Sequence, residues 1–170
     1  MQEAGNVGPR KRGRNGGQEM KQTTFEDIAA AVGPLFRQPD FLQCAALCMR
    51  EGRDGPEVLL VTTLNTRRWI LPKGWPMKGR TLAGAARREA WEEAGVIGRV
   101  SESPVGYYTY QKVLKRGLPI PCRVEVFRID VDGLDREYPE KGKRRRRWFP
   151  LADAAARVEE PELRALLLSL

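Results

Sequence analysis

Histidine is absent from the 170 residues. Without imidazole the commonest general base and the commonest transition-metal ligand are both missing, so proton transfer falls to carboxylates, lysine, tyrosine or cysteine. Cysteine is scarce as well. Cys44, Cys48 and Cys122 include no CxxC pair, which argues against a disulfide scaffold and a thiolate zinc site and fits a reducing compartment. No apolar run approaches the roughly 20 residues that span a bilayer. The opening stretch MQEAGNVGPRKRGRNGGQEMKQ lacks the apolar segment of a secretory leader. These absences lead to the expectation of a cytoplasmic protein with no membrane partner.

Positive charge is what the chain has in excess. A formal net charge of +8 points to anionic partners: phosphates, nucleic acid or an acidic surface. Hydrophobic residues make up 41%, and the length suffices for one full core. Residues 1–22, rich in Gly, Lys and Arg, are expected to form a disordered basic tail, leaving 23–170 as the folded domain. TFEDIAAAV (23–31) has the pattern of a short capped helix. FLQCAALCM (41–49), EVLLVTT (57–63), RWILP, VGYYTYQKV, CRVEVFRIDV and the basic RRRRWF read as strands, and LADAAARV and PELRALLLSL as closing helices. Strands with interleaved helices predict a mixed α/β sandwich.

One stretch has no packing explanation. GWPMKGRTLAGAARREAWEEAGV (74–96) predicts a loop, then a helix from about Thr81 to Gly95. At about 100° per residue, Glu89, Glu92 and Glu93 fall on one stripe, while Ala83, Ala86, Ala90 and Ala94 fill the neighbouring one. Glu89 and Glu93 have no cation at i±4; only Glu92 has one, Arg88. A solvated acidic face is the ordinary explanation of such a cluster. The preceding loop tilts the balance: residues 73–88 contain Lys73, Lys78, Arg80, Arg87 and Arg88, and no acid. A cationic loop leading into three largely unneutralised acids suits a phosphorylated substrate with an oxygen-ligated cation, Mg²⁺ or Mn²⁺.

The segment resembles the signature of the Nudix hydrolases. Gly74 opens it, Arg88 and Glu89 supply the Arg-Glu, Ala90 the apolar position, Glu92 and Glu93 the acidic pair, and Gly95 and Val96 the end. One position departs: Arg80 stands where the family pattern has its first glutamate, which leaves open the number of bound metals. QCAALCMR, RRWILPKGW, CRVEVF and KRRRRWF, in their order around this box, are similar to the diphosphoinositol-polyphosphate phosphohydrolase-like branch.

The resemblance implies that 23–170 is a Nudix hydrolase domain, an α/β/α sandwich with a mixed β-sheet. It implies Glu92 as general base, with Glu89, Glu93 and the Lys73 carbonyl on Mg²⁺ or Mn²⁺. It also implies Arg68, Arg123 and Arg145 on substrate phosphates, and hydrolysis of a phosphoanhydride in a dinucleoside polyphosphate or inositol pyrophosphate. Strand alternation puts Arg123, Glu125 and Phe127 on one face. It sends Arg145 and Arg147 one way and Arg144 and Arg146 the other. Trp148 and Phe149 read as core anchors, and Trp75 as the aromatic for substrate contact.

Two other readings compete. Arg80 favours a catalytically weak Nudix domain that binds a nucleotide effector. The basic tail and the arginine run favour an RNA binder or 5′-end pyrophosphohydrolase. A phosphorylated small molecule is preferred to nucleic acid as partner, and nothing in the pattern fixes an oligomeric state.

Overall fold

The β-rich segments assemble into one mixed sheet that separates two apolar layers. The computed structural model describes residues 41–113, 117 and 119–170 of the chain. The expected tail (1–22) and the helix expected at 23–31 lie outside the described residues. The elements run β1 (Phe41–Gly52), β2 (Gly55–Thr62), β3 (Trp69–Ile70), β4 (Lys73–Gly74), α1 (Leu82–Ala94), β5 (Val96–Val100), β6 (Gly106–Val113), β7 (Pro119–Leu134), β8 (Arg146–Pro150), α2 (Leu151–Ala155) and α3 (Pro161–Leu168). The main path is β3-β2-β1-β7-β5, with β4 on β1, β6 on β7 and β8 on β2. β1 and β7 pair in parallel and the other pairs are antiparallel.

Alternation along β1 divides the core. Ala45, Leu47 and Met49 face a layer closed by Ala154, Val158, Leu163 and Leu167 from the C-terminal helices and the segment between them. Cys44, Ala46 and Cys48 face the alanines of α1. Both faces of β1 are apolar because both are covered, the pattern expected of a central strand in a layered α/β fold. The expected α/β/α sandwich is the fold observed.

The boundaries of α1 follow from its capping residues. The Thr81 side chain accepts a hydrogen bond from the Gly84 amide, and Gly95 closes the helix in the left-handed region at φ 67°. Ala83, Ala85, Ala86, Ala90 and Ala94 are all buried against the sheet. Their small side chains let the helix axis lie close, so α1 residues at the edge of the alanine stripe reach the sheet itself. Two strands went unread in the sequence. β4 has two residues, and β5 begins directly after Gly95 with a register shift at Ile97/Gly98, so neither shows a clean period.

Candidate active site

β4 brings Lys73 and Gly74, at the start of the cationic loop, against α1. Its pairing with β1 sets Lys73 opposite Ala45 and Gly74 opposite Cys44. Gly74 thereby points its missing side chain at Glu89: a Cβ at position 74 would overlap the Glu89 carboxylate. This glycine is required by close approach, since the carboxylate occupies the space where any other residue would place a carbon. Burial raises the Glu89 carboxyl above its ordinary value, and the charges of Glu92 and Glu140 push it further the same way. Glu140 is a fourth acid that sequence reasoning missed. It comes from the loop before β8, where its amide donates to the Glu92 carbonyl at 3.0 Å.

Glu93 is buried, with both oxygens engaged. Oε1 pairs with Arg144 at 2.6 Å, and Oε2 accepts from the Lys73 amide at 3.2 Å. Burial pushes this carboxyl up to about 7, while Arg144 and the Lys73 amide oppose the rise. The expectation of an acidic face left largely unneutralised is therefore corrected. Its countercharge arrives from residue 144, beyond the reach of any helical spacing rule. Arg144 also contacts Glu140 and donates to the Thr62 carbonyl at 3.1 Å, so three groups fix its fork. Glu92 is half-exposed and pairs with Arg88, the one partner the spacing predicted.

The basic residues divide between the two faces of the sheet. Arg144 and Arg146 turn toward α1, and Arg146 donates to the Ala94 carbonyl at the helix C-terminus. Arg145 goes the other way, its guanidinium 5.9 Å from the Trp69 ring centre. Alternation in the run thus holds, and the arginine beside the carboxylates is Arg144. Arg68 stands on the same side as Arg145. It pairs with Glu159 at 2.7 Å and lines a pocket of about 240 Å³ with Thr109, Tyr110 and Gln111.

Arg123 lies on the α1 side. β7 pairs Glu125 with Cys44, whose side chain faces α1, and Arg123 is two residues before Glu125. Its guanidinium sits 4.2 Å from the Tyr107 ring centre. Its Nε is buried with no hydrogen-bond partner among the described residues. An unpaired buried donor on a charged group is costly.

Lys73 spans both faces. Its amide serves Glu93, while its ammonium donates to Gln43 at 3.1 Å and Tyr110 at 2.8 Å. Burial and the nearby Lys112 lower that ammonium to about 8. Trp75 is 40% exposed, enough to meet a ligand, with the Lys112 ammonium 4.3 Å from its ring centre and Phe41 edge-on to it.

Among the described residues no three His, Cys, Asp or Glu side chains form a group that would hold a metal by themselves. Mg²⁺ seldom needs such a cage: one or two carboxylates, waters and substrate phosphates usually complete its shell. The all-oxygen donor set of Glu89, Glu93 and a backbone carbonyl in the Gly74 cradle fits that chemistry.

A helix carrying Arg-Glu and Glu-Glu, laid by its alanines on a mixed sheet and met by a glycine from a two-residue strand, is the centre of this α/β/α arrangement. The chain belongs to the Nudix family: the NUDIX domain model matches residues 42–169.

Among curated relatives, it is 33% identical over 101 residues to the mitochondrial Nudix hydrolase 12 of Arabidopsis thaliana, covering 58% of this chain and 50% of the relative. It is 31% identical over 114 residues to diphosphoinositol polyphosphate phosphohydrolase 3-alpha of Mus musculus, covering 66% of this chain and 65% of the relative. The chain thus spans between about half and two thirds of the length of these relatives.

Two solved structures share the fold. The C. elegans Ap4A hydrolase has a TM-score of 0.55 at 22% identity, covering 76% of this chain and 94% of that one. The NUDIX domain of Shewanella oneidensis NrtR, complexed with ADP ribose, has a TM-score of 0.58 at 17% identity, covering 86% and 97%.

Proposed function

We propose that this chain is a Mg²⁺- or Mn²⁺-dependent pyrophosphohydrolase that cleaves a phosphoanhydride bond in a polyphosphorylated small molecule. A dinucleoside polyphosphate or an inositol pyrophosphate has the required chemistry. The single observation that carries the reading is the Gly74 cradle around Glu89, one turn from the buried Glu93. The named activities of the relatives, hydrolysis of Ap4A and of diphosphoinositol polyphosphates, agree with it.

In this reading Glu89, Glu93 and the Lys73 carbonyl hold the divalent cation, which supplies charge neutralisation to the phosphoanhydride when bound. Glu92 takes the proton of the attacking water through a carboxylate oxygen, and its pair with Arg88 yields at that step. Arg123 meets a phosphate oxygen through its guanidinium. Arg68 and Arg145, with the Lys73 ammonium and Trp75, serve the remainder of the substrate.

A second reading, a nucleotide-effector domain with weak catalysis, draws support from Glu93, both of whose oxygens are engaged in this structure. The RNA-directed reading loses support, because Arg144 and Arg146 serve internal partners and the run leaves no continuous basic strip. No helix among the described residues is long and apolar enough to cross a membrane, and a cytoplasmic site of action is part of the proposal.

The test is product release across substrates of increasing phosphate number. Arg123→Ala is expected to raise KM roughly tenfold, the scale of one charge-assisted hydrogen bond, with a larger loss on tetra- and hexaphosphates than on diphosphates. Arg145→Ala, on the opposite face and exposed, is expected to act less. Equal losses from Arg123→Ala on short and long substrates would rule out its role as a phosphate contact. No turnover on any substrate, with ligand binding retained, would favour the effector reading.

A further inference from the structure

The flank of α1 turned away from Glu89 and Glu93 carries its own concentration of charge. Arg80, Gly84, Arg87, Arg88 and Trp91 line a pocket of about 350 Å³ together with Ile97 of β5. At 3.6 residues per turn, positions 84, 87, 88 and 91 centre about 170° around the helix from the mean direction of Glu89 and Glu93, with Arg88 nearest to the acids. The alanine stripe separates the two on the sheet side, while on the solvent side the Arg88–Glu92 pair joins them.

No acidic side chain lines this pocket. Arg80 and Arg87 are exposed, and among the described residues neither has a side-chain hydrogen bond or ion pair. The Arg88 guanidinium lies 4.4 Å from the Trp91 ring centre. The indole is fixed from its other edge, where Nε1 donates to Asp135 at 3.2 Å. Gly84 leaves open the helix face between the arginines, and Val96 and Ile97 supply an apolar wall.

We propose that this pocket is a second ligand site that binds a small phosphate monoester bearing a planar ring, in chemical class a nucleoside monophosphate, apart from Glu89 and Glu93. Guanidinium forks match phosphate oxygens in pairs, and an anion relieves the mutual repulsion of the three arginines. The indole and the apolar wall suit a ring, and the volume falls in the range of small-molecule pockets. A phosphate here also competes with Glu92 for Arg88, which links the pocket to the catalytic cluster through one side chain.

The experiment is calorimetric titration of the full chain, in Mg²⁺, with AMP and separately with inorganic phosphate. AMP contains no phosphoanhydride, so hydrolysis does not intervene. The expected result is saturable AMP binding, with phosphate alone weaker, and a loss of about tenfold or more in the Arg80→Ala/Arg87→Ala variant. Both side chains are exposed and unpaired, so that variant keeps its fold, which its thermal melt checks. Arg123→Ala is expected to bind AMP as the wild type does. Loss of binding in Arg123→Ala but not in the double variant would overturn the proposal by placing AMP in the substrate cleft. Absence of saturable binding would overturn it outright, and phosphate binding as tightly as AMP would overturn its ring specificity. None of these outcomes depends on turnover, so they leave the hydrolase reading to its own test.

Discussion

Glu89→Gln is expected to lower kcat/KM by about 10²–10³-fold, the scale of removing one preorganised charge-stabilising group, while leaving the protein as stable as the wild type or slightly more so. Among the described residues the Glu89 side chain makes no hydrogen bond or ion pair, so the amide breaks no contact of that kind. It sits instead among Glu92 and Glu140, whose charges raise its carboxyl along with burial. A carboxyl whose folded pKa lies above its unfolded value weakens the fold as pH rises through that interval, because the native state binds the proton more tightly. At neutral pH the neutral amide removes that cost. Glu93→Gln makes a useful contrast. It strips a buried arginine of one of its acids, so activity and melting temperature should fall together, softened because Arg144 keeps Glu140 and the Thr62 carbonyl. Kinetic assay and thermal melting on the same preparations separate the two. A Glu89→Gln protein with wild-type kcat/KM would remove Glu89 from the site.

Gly74→Ala is expected to cost activity more than stability. The added Cβ meets the end of a flexible side chain, so the Glu89 carboxylate swings aside and neither β4 nor α1 has to move. A displacement of about 1 Å in a positioned catalytic group costs on the order of 10²-fold. The melting temperature should drop by only a few degrees, about what 1 kcal/mol produces in a domain of this size. If the carboxylate were a solvated bystander, the same substitution would leave kcat/KM intact. Steady-state kinetics at saturating metal decide between the two.

These effects trace back to features of unequal visibility in the sequence. The box helix was legible from end to end because its capping residues and its alanine stripe are local signals, and Thr81 and Gly95 cap it as the spacing predicted. The long strands were legible from their apolar runs. The partner of Glu93 was not, since Arg144 lies 51 positions away and meets it only when β8 pairs with β2 (144 − 93 = 51). Alternation correctly divided the arginine run, but which half faces the carboxylates depends on the neighbouring strands. Glu140 carried no signal, being one acid in a polar loop. The double use of Lys73, amide on one face and ammonium on the other, follows from the pairing of a strand of two residues that no periodicity reveals.

Arg80 shows how one departure from a family pattern gains meaning in three dimensions. In the sequence it cast doubt on metal number. In the fold it lines the pocket on the far flank of α1 beside Arg87 and Arg88. Glu89 and Glu93 thus lie across the buried stripe of α1 from Arg87, while Glu92 and Arg88 meet on its exposed side.

The measurement that bears most directly on the central claim is hydrolysis of a dinucleoside tetraphosphate by chelator-stripped protein, titrated with Mg²⁺ and with Mn²⁺. Glu89→Gln is run in parallel, and metal binding is followed separately by calorimetry. The account predicts no turnover without metal, recovery in the wild type with either cation, and weaker metal binding with little recovery in the variant. Turnover that persists in the stripped protein, or metal binding that Glu89→Gln leaves unchanged, would contradict it.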